Sequence, residues 1–433
     1  MKKVMIRSSL GLAVTLASTQ LFASGFAINE QSVSGMGVGF AGRSSSAEDA
    51  STVAGNPAGM ARIKQQQVTV GAAGIYANTD IDHSSASVRG RNIGGSSEGD
   101  MVPLVGVPMG YYVKPLNDQW AVGFGVYVPF GLATDYESGF AGRYFADKSV
   151  VKVVTFQPTV SYAFNDKVSI GFGPTINRIE GELTSRTLNA TSPSVNDGQV
   201  KIKGDDVAIG FNAGILVQAT DRTRLGLTYH SKVDYKLDGN TKGRNINPLP
   251  IPGLPAFNFK ADASLDITTP ESVDLSFTHE LNDRWTLYGG STWTRWSRLE
   301  NITVENSGSA TATRLGLGTI TEEQNWHDTW AHAIGAAYKL NKQWTLRTGF
   351  SVDQSPTNNH DRSPRIPSGD RRIFSLGAGY SPTDNITVDF AYSYLKEEST
   401  DVNVGSATSS KGAYSATYHN SAHGFGSSLT YKF

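Results

Sequence analysis

The sequence predicts an all-β fold, a fourteen-stranded antiparallel transmembrane β-barrel with an N-terminal hatch, or plug, in its lumen. Three observations carry this expectation. From Gln67 onward the chain falls into segments of alternating polarity, as strands with one face in lipid and the other in a polar lumen require. Short turn signals alternate with long polar connections. Residues 24–60 alone lack the alternation and read instead as a compact insert.

At the N-terminus, Lys2, Lys3 and Arg7 precede an apolar run from Leu10 to Ala17 and the segment "QLFA", the pattern of a secretory signal peptide over 1–23 with cleavage after Ala23. Its removal leaves 35 basic residues against 39 acidic ones, a net charge of −4. The next stretch, 24–60, is rich in Gly, Ser and Ala and poor in large aliphatic residues, so it cannot build a core of its own. Ser45 and Glu48 have the spacing of a capping box. In "NPAG", Asn56 can cap a short helix whose first position is Pro57, with Ala58 following. Such a segment must lie against a larger surface, as a hatch; the other reading is a disordered arm.

The barrel proper is expected over 61–433. In "NITVDFAYSY", Ile386, Val388, Phe390, Tyr392 and Tyr394 share one face. In "QWTLRTGFSVD", Trp344, Leu346, Phe350 and Val352 oppose Thr345, Arg347, Ser351 and Asp353. The last segment brings Phe425, Leu429, Tyr431 and Phe433 together. Tight hairpins are expected at "LNDQW", "FNDK", "ATDR", "LNDRW", "LNKQW" and "SPTDN", three of them with a Trp just after the turn, where an aromatic belt lies. Long connections are expected around 81–100, 131–149, 183–205, 237–259, 302–325, 354–370 and 398–420. Seven long and six short connections join fourteen strands with both ends on the short-turn side, the asymmetry of an outer-membrane barrel of a Gram-negative bacterium. Fourteen strands enclose a lumen too wide for side chains to fill, and some forty small residues suit the task of blocking it.

Composition narrows the alternatives. Gly 46, Tyr 17, Phe 19 and Trp 7 with 18% charged residues suit many strands with aromatic girdles. Mean hydropathy is negative and no apolar run of about 18 residues follows the signal, which argues against transmembrane helices. Mild acidity argues against a nucleic-acid partner. The absence of Cys removes disulfide frameworks and thiolate chemistry. A β-propeller or a tandem of sandwiches would supply as many strands, but not the lipid-facing aromatics, the signal peptide, the loop asymmetry and the terminal Phe together.

On these residues the chain resembles the FadL family of outer-membrane transporters for long-chain fatty acids and other hydrophobic compounds, over essentially the whole mature length. "SGFAINEQSVSGMG" and Asn56, Pro57 and Ala58 resemble the family's hatch; "GLATDY" and "GFAG" resemble its third strand; "SPTNNHDRSPRIPSGDR" resembles a late extracellular loop and strand entry. The resemblance implies passive uptake: a ligand is caught among the outer loops, passes to a lumen pocket held by the hatch, and leaves sideways through a kink in the third strand. A fatty acid gains about 0.8 kcal/mol per buried CH₂, so capture is easy and release is the harder step. The implied lateral gate is Gly131, Leu132, Gly139, Phe140 and Gly142. The implied ligand-binding residues are Phe26, Arg178 and His327, the last standing where the family usually has Lys. Alternation from Val168, Ile170, Phe172 and Ile176 points Arg178 at lipid, so its role as a carboxylate partner requires a bulge near Pro174.

The implied partners are a long-chain fatty acid or another hydrophobic molecule, outer-membrane lipid and lipopolysaccharide, and the barrel assembly machinery, for a monomer without cofactor or metal. Aromatic hydrocarbon uptake by the same route is the alternative. A general porin would conflict with the hatch. A barrel hydrolase would draw on His327 with Asp328, or on Asp80, Asp82 and His83, but no serine elbow accompanies either group.

Overall fold

The computed structural model describes residues 25–189, 197–247, 256–406, 408–409 and 411–433; the expected signal peptide lies outside the described residues. Fourteen wall strands follow in chain order: β1 Gln67–Val88, β2 Val105–Pro115, β3 Trp120–Asp135, β4 Lys148–Ala163, β5 Val168–Thr187, β6 Gly198–Thr220, β7 Thr223–His230 continued by Val233–Ile246, β8 Phe257–Thr269 continued by Ser272–Glu280, β9 Trp285–Thr294 continued by Asn301–Ser307, β10 Thr319–Glu323 continued by Thr329–Lys339, β11 Trp344–Asp353, β12 Arg371–Thr383, β13 Ile386–Glu397 continued by Thr400–Gly405, and β14 Ala413–Lys432. Each pairs antiparallel with the next. Pairing of β14 with β1, from Gln67↔Lys432 to Ser87↔Ala413, closes the sheet into a barrel.

The tight turns work through one local device. Asn117, Asn165, Asn282 and Asn341 each accept two backbone N–H bonds from residues two and three positions on, at 2.8–2.9 Å. Their side chains thus stand in for a backbone turn. Behind three of the turns, Trp120, Trp285 and Trp344 pair directly across the sheet with Tyr162, Tyr338 and Tyr380, with ring centroids 4.6–4.7 Å apart. Amphipathic rings gathered at one level mark a membrane interface.

Polarity reverses partway up the long strands. On β5, Ile170, Phe172 and Ile176 are exposed to the outside, while Ser169, Thr175 and Asn177 are buried toward the lumen. Beyond this point the inward residues become Ile179 and Leu183, and the outward ones Arg178, Glu180 and Glu182. The strand therefore leaves lipid near Arg178, and above that level water lies outside and apolar surface inside. This accounts for a difference from expectation: much of the chain expected as long connections at 183–205, 237–259, 302–325 and 398–420 is strand, extending the wall beyond the membrane.

Residues 25–63 lie within the wall. They form a helix at Val33–Gly37 capped by Ser32, a helical turn at Thr52–Gly55, and a 3-10 helix at Pro57–Arg62. Asn56 caps the last, its side chain accepting the Ala58 N–H at 3.0 Å. The capping box expected at Ser45 and Glu48 does not form, because both side chains find partners on the wall. Ser45 Oγ lies 2.8 Å from Thr278 Oγ1, and Glu48 accepts from Tyr288 and from Arg347 (3.1 Å). Arg347 also donates to Asp389 at 2.6 Å, tying the segment to β9, β11 and β13. Gln157 and Asn212 donate to the backbone carbonyls of Val53 and Ala54, at 2.7 and 2.9 Å.

Close backbone approach requires glycine on the wall. At Gly171 an added Cβ would lie 2.3 Å from Ala58 N, and at Gly349 2.0 Å from the carbonyl carbon of Val38. The Gly171→Val variant is expected to assemble a heat-modifiable barrel, since the three atoms nearest an added Cβ all belong to Pro57 and Ala58 of the inserted segment, at an overpacking cost of about 1–3 kcal/mol. With the segment pushed from its seat, ion conductance in planar bilayers should rise above that of the unmodified protein; unchanged conductance would mean that the wall yields instead.

Candidate functional site

The reversal of polarity builds an apolar pocket in the outer half of the lumen. Ile179 and Leu183 of β5, Ile202 of β6, Leu237 of β7, Leu265 and Ile267 of β8, and Ile302 and Val304 of β9 line about 830 Å³ of space. These residues line one space because each is the inward member of its alternating strand above the lipid boundary. Phe26 lies at the pocket, 3% exposed, with its ring 5.0 Å from Trp296, 5.7 Å from Phe130 and 6.1 Å from Trp326. Trp296 sits in a 3-10 turn where β9 is interrupted, and Trp326 between the two parts of β10, so the breaks in the wall turn large rings inward. Aromatic pairs of this kind contribute about 0.5–1.5 kcal/mol each beyond area burial.

Beyond the aromatic cluster, on the side of residues 25–63, the lumen changes character. A chamber of about 1180 Å³ is lined by Asn29, Arg43, Thr155, Asn177, Asp274 and Asp353 among others. On the outer side, the apolar pocket adjoins a groove of about 1120 Å³ with which it shares Leu183, Ile202, Ile302, Val304 and Arg365. Three spaces thus follow one another: an outer groove, an apolar pocket, and a polar chamber behind the aromatic cluster.

The wall is interrupted beside Phe26. Pairing of β2 with β3 stops at Gly110↔Val126, although β3 continues to Asp135. Pairing of β3 with β4 shifts by one residue between Tyr127 and Phe130, at the position of Pro129. The free edge of β3 is taken up by the N-terminal segment: Ile28 N donates to Pro129 O at 2.9 Å, Gly131 N donates to Phe26 O at 2.8 Å, and Ala27 bridges Phe130. A proline within an alternating stretch signals a bulge or an edge, and "VYVPFGL" carried that signal.

The residues expected to form a lateral gate divide into two groups. Gly131 and Leu132 lie on β3 above the register shift, and Leu132 lines the apolar pocket. Gly139, Phe140 and Gly142 do not belong to the third strand, which ends at Asp135. They form a turn that packs on the first outer connection: Ser96 N donates to Gly139 O at 3.0 Å and Ala141 N to Ser96 O at 2.9 Å. Phe140 is fully buried, stacked 3.9 Å from Tyr136. Gly139 has φ +96°, which explains a glycine there without any role in the wall.

The carboxylate clamp expected at Arg178 and His327 is corrected. Pairing of β5 with β6 runs without a shift from Val168↔Val217 to Thr187↔Gly198, so no bulge turns Arg178 inward. It faces outward and pairs with Glu180 at 2.9 Å and Asp205 at 4.0 Å. His327 is exposed, because Trp326 takes the inward position next to it. Neither residue lines the pocket. Of the residues considered for catalysis, Asp328 accepts the Ser297 N–H at 3.1 Å, and Asp82 lies 3.3 Å from His419 Nε2.

The buried cation at the pocket is Arg365, which the sequence hid between two prolines in a long loop. Its guanidinium donates to Glu322 (2.9 Å), Ser149 Oγ (3.0 Å) and the carbonyl of Thr184 (3.3 Å), and Lys411 Nζ approaches Glu322 at 3.5 Å. Burial raises the Glu322 carboxyl, but the charges of Arg365 and Lys411 outweigh it and hold the group below its ordinary range.

A closed all-antiparallel barrel with residues 25–63 seated inside its wall and an apolar pocket in the outer half of its lumen is the architecture of an outer-membrane transport protein. The chain belongs to the family described as outer membrane protein transport protein (OMPP1/FadL/TodX), whose model matches residues 14–433. It is 29% identical to outer membrane protein P1 of Haemophilus influenzae over 99% of both chains, and 29% identical to the long-chain fatty acid transport protein of Escherichia coli O6:H1 over 100% of this chain and 99% of that one. Its fold matches a FadL homologue from Pseudomonas aeruginosa with a TM-score of 0.84 at 27% identity, covering 95% of this chain and all of the other. It is therefore a Gram-negative outer-membrane transporter for hydrophobic compounds.

A carboxyl held low contributes its pairing at neutral pH and loses it as pH falls through the depressed value, below the ordinary value of about 4.3. Protection of the amides across 361–369 from hydrogen exchange, relative to the unstructured rate at each pH, should therefore be constant from pH 7 to about 5 and fall only in stronger acid. The Glu322→Gln variant, which leaves Arg365 buried without its anion, should show the fast exchange already at pH 7, with a local loss of about 3 kcal/mol. Identical exchange in both proteins at pH 7 would remove Glu322 from this role.

Proposed function

We propose that this chain carries long-chain fatty acids or related hydrophobic molecules downhill across the outer membrane, through an outer groove and an apolar pocket controlled by an N-terminal hatch, with lateral exit into the bilayer at β3. One observation carries the reading: the residues that close the apolar pocket also fill the break in the wall. Phe26 closes the pocket with its ring while its carbonyl and the Ile28 N–H hold the free edge of β3. Withdrawal of residues 26–28 would therefore uncover the pocket and unblock the wall in one movement.

Energetics favour this route over a straight one. Moving an acyl chain from the apolar pocket into the polar chamber would forfeit about 0.8 kcal/mol per CH₂, whereas the break begins at Tyr127, in register with Thr155 and Asn177 at the lipid boundary, so passage through it leads the chain toward hydrocarbon. The aromatic rings that must part are held by contacts of modest strength, which suits a gate opened by ligand binding. In this reading Asn56, Pro57 and Ala58 anchor the fixed end of the hatch, and Gly131 and Leu132 border the exit. Fatty acid is favoured as cargo by likeness to a carrier named for it at 29% identity over the full length, and by a buried arginine at the junction of groove and pocket.

The test is removal of the single residue Pro129, which restores the register of β3 with β4. Uptake of oleate and of toluene should both fall to background while oleate binding to the purified barrel stays within about twofold, since 0.4 kcal/mol is the scale of a change that leaves the pocket intact. Undiminished uptake in a variant shown to have a continuous third strand would favour a straight channel. Competition of toluene against oleate in the unmodified protein separates the two cargo classes.

A further inference from the structure

We propose that the outward face of β6, β7 and β8 above the lipid boundary is a docking surface for the phosphorylated inner core of lipopolysaccharide. The proposal rests on the outer-membrane location and not on the identity of the cargo. Lys201, Lys242 and Lys260 lie directly opposite one another on three adjacent strands, with register pairs Lys201↔Lys242 and Lys242↔Lys260. Their neighbours Val200, Thr241, Phe259 and Ala261 are buried, so the three ammonium groups project outward. Arg244 and Lys203 extend the same face.

Like charges placed directly opposite on a sheet are destabilising, and elsewhere on this face opposite charges offset the penalty. Lys236 stands opposite Asp266, and Lys152 opposite Glu180. A neighbouring acidic row, with Asp205 opposite both Asp238 and Glu180, carries its own counter-charge, since Arg178 reaches Glu180 and Asp205. The lysine row has much less. Glu182 serves Lys201 and Lys203 together, and among the described residues no carboxylate lies within ion-pair distance of Lys242, Arg244 or Lys260. A row that costs stability in isolation is accounted for if an external polyanion normally covers it.

Depth selects the anion. Lys203 and Lys201 lie four and six residues beyond Val207, which pairs with Arg178 at the lipid boundary. At about 3.3 Å per residue and a tilt near 40°, this places them roughly 10–15 Å above the hydrocarbon. The phosphates and acidic sugars of a lipopolysaccharide core stand at that height, whereas a phospholipid headgroup or the carboxylate of a membrane-dissolved fatty acid lies lower. Several anionic groups on one molecule also match a row of three cations better than a monoanion does.

The experiment uses the full-length barrel in detergent freed of lipopolysaccharide, alone and as the triple variant Lys201→Gln, Lys242→Gln, Lys260→Gln. Each lysine near an anionic surface is worth about fivefold in affinity, so the variant should bind lipopolysaccharide about a hundredfold more weakly, with a shallower salt dependence. Added lipopolysaccharide should raise the heat-modification temperature of the unmodified barrel and not that of the variant. Without it the variant should be at least as stable, because the repulsion is gone. Enzymatically dephosphorylated lipopolysaccharide, phosphatidylglycerol vesicles and inorganic phosphate should each protect less. Equal binding by variant and unmodified barrel, equal protection by the dephosphorylated form, or equal protection by phosphatidylglycerol would overturn the proposal. The single variant Lys242→Gln, read by the same titration with an expected fivefold loss, serves if the triple variant does not assemble.

Discussion

In hydrocarbon no backbone amide can be left without a partner, because each unsatisfied group costs several kcal/mol. That constraint closes the sheet between β14 and β1 and makes any break in pairing a special case. The free edge of β3 is the break that organises this molecule. It is tolerated because residues 26–28 supply the missing donors and acceptors. The N-terminal segment is thus part of the wall's hydrogen-bond satisfaction at one end and a filling of the lumen at the other.

The second organising feature is the reversal of polarity along single strands. Period-2 alternation distinguishes two faces but does not say which of them meets water. In the lower half lipid lies outside, so Ile170, Phe172 and Ile176 point out; in the upper half water lies outside, so Arg178, Glu180 and Glu182 do. The inward face changes in the opposite sense and becomes aliphatic on β5 to β9. An apolar pocket in a polar barrel follows from that exchange, without any insertion.

Filling the lower lumen follows a different logic. The N-terminal segment contributes few large side chains, so its backbone must come close to the wall, and wall glycines such as Gly171 and Gly349 permit the approach. Charge completes the seat. Arg347, 8% exposed at its side chain, is balanced by Glu48 from the segment and Asp389 from the wall. Paired and hydrogen-bonded in this way, buried charges specify one position for the segment more than they add to stability.

Strand number, turn positions, the Trp belt and the capped turn at Asn56 were legible in the sequence, because alternation, Asx turns and caps are set by residues within a few positions of one another. The same local rule pointed Arg178 outward, and the continuous register of β5 agrees; the clamp carried over from resemblance failed because a motif match conveys position along a strand, not the side it faces. Ser45 and Glu48 illustrate the converse, since their spacing suits a capping box while partners more than two hundred residues away take both side chains. The aromatic cluster around Phe26, the arginine at the pocket and the break at Pro129 depend on contacts between distant strands. Those were decided only when the barrel closed, for closure alone determines which residues meet across the lumen and which backbone edge is left to be filled.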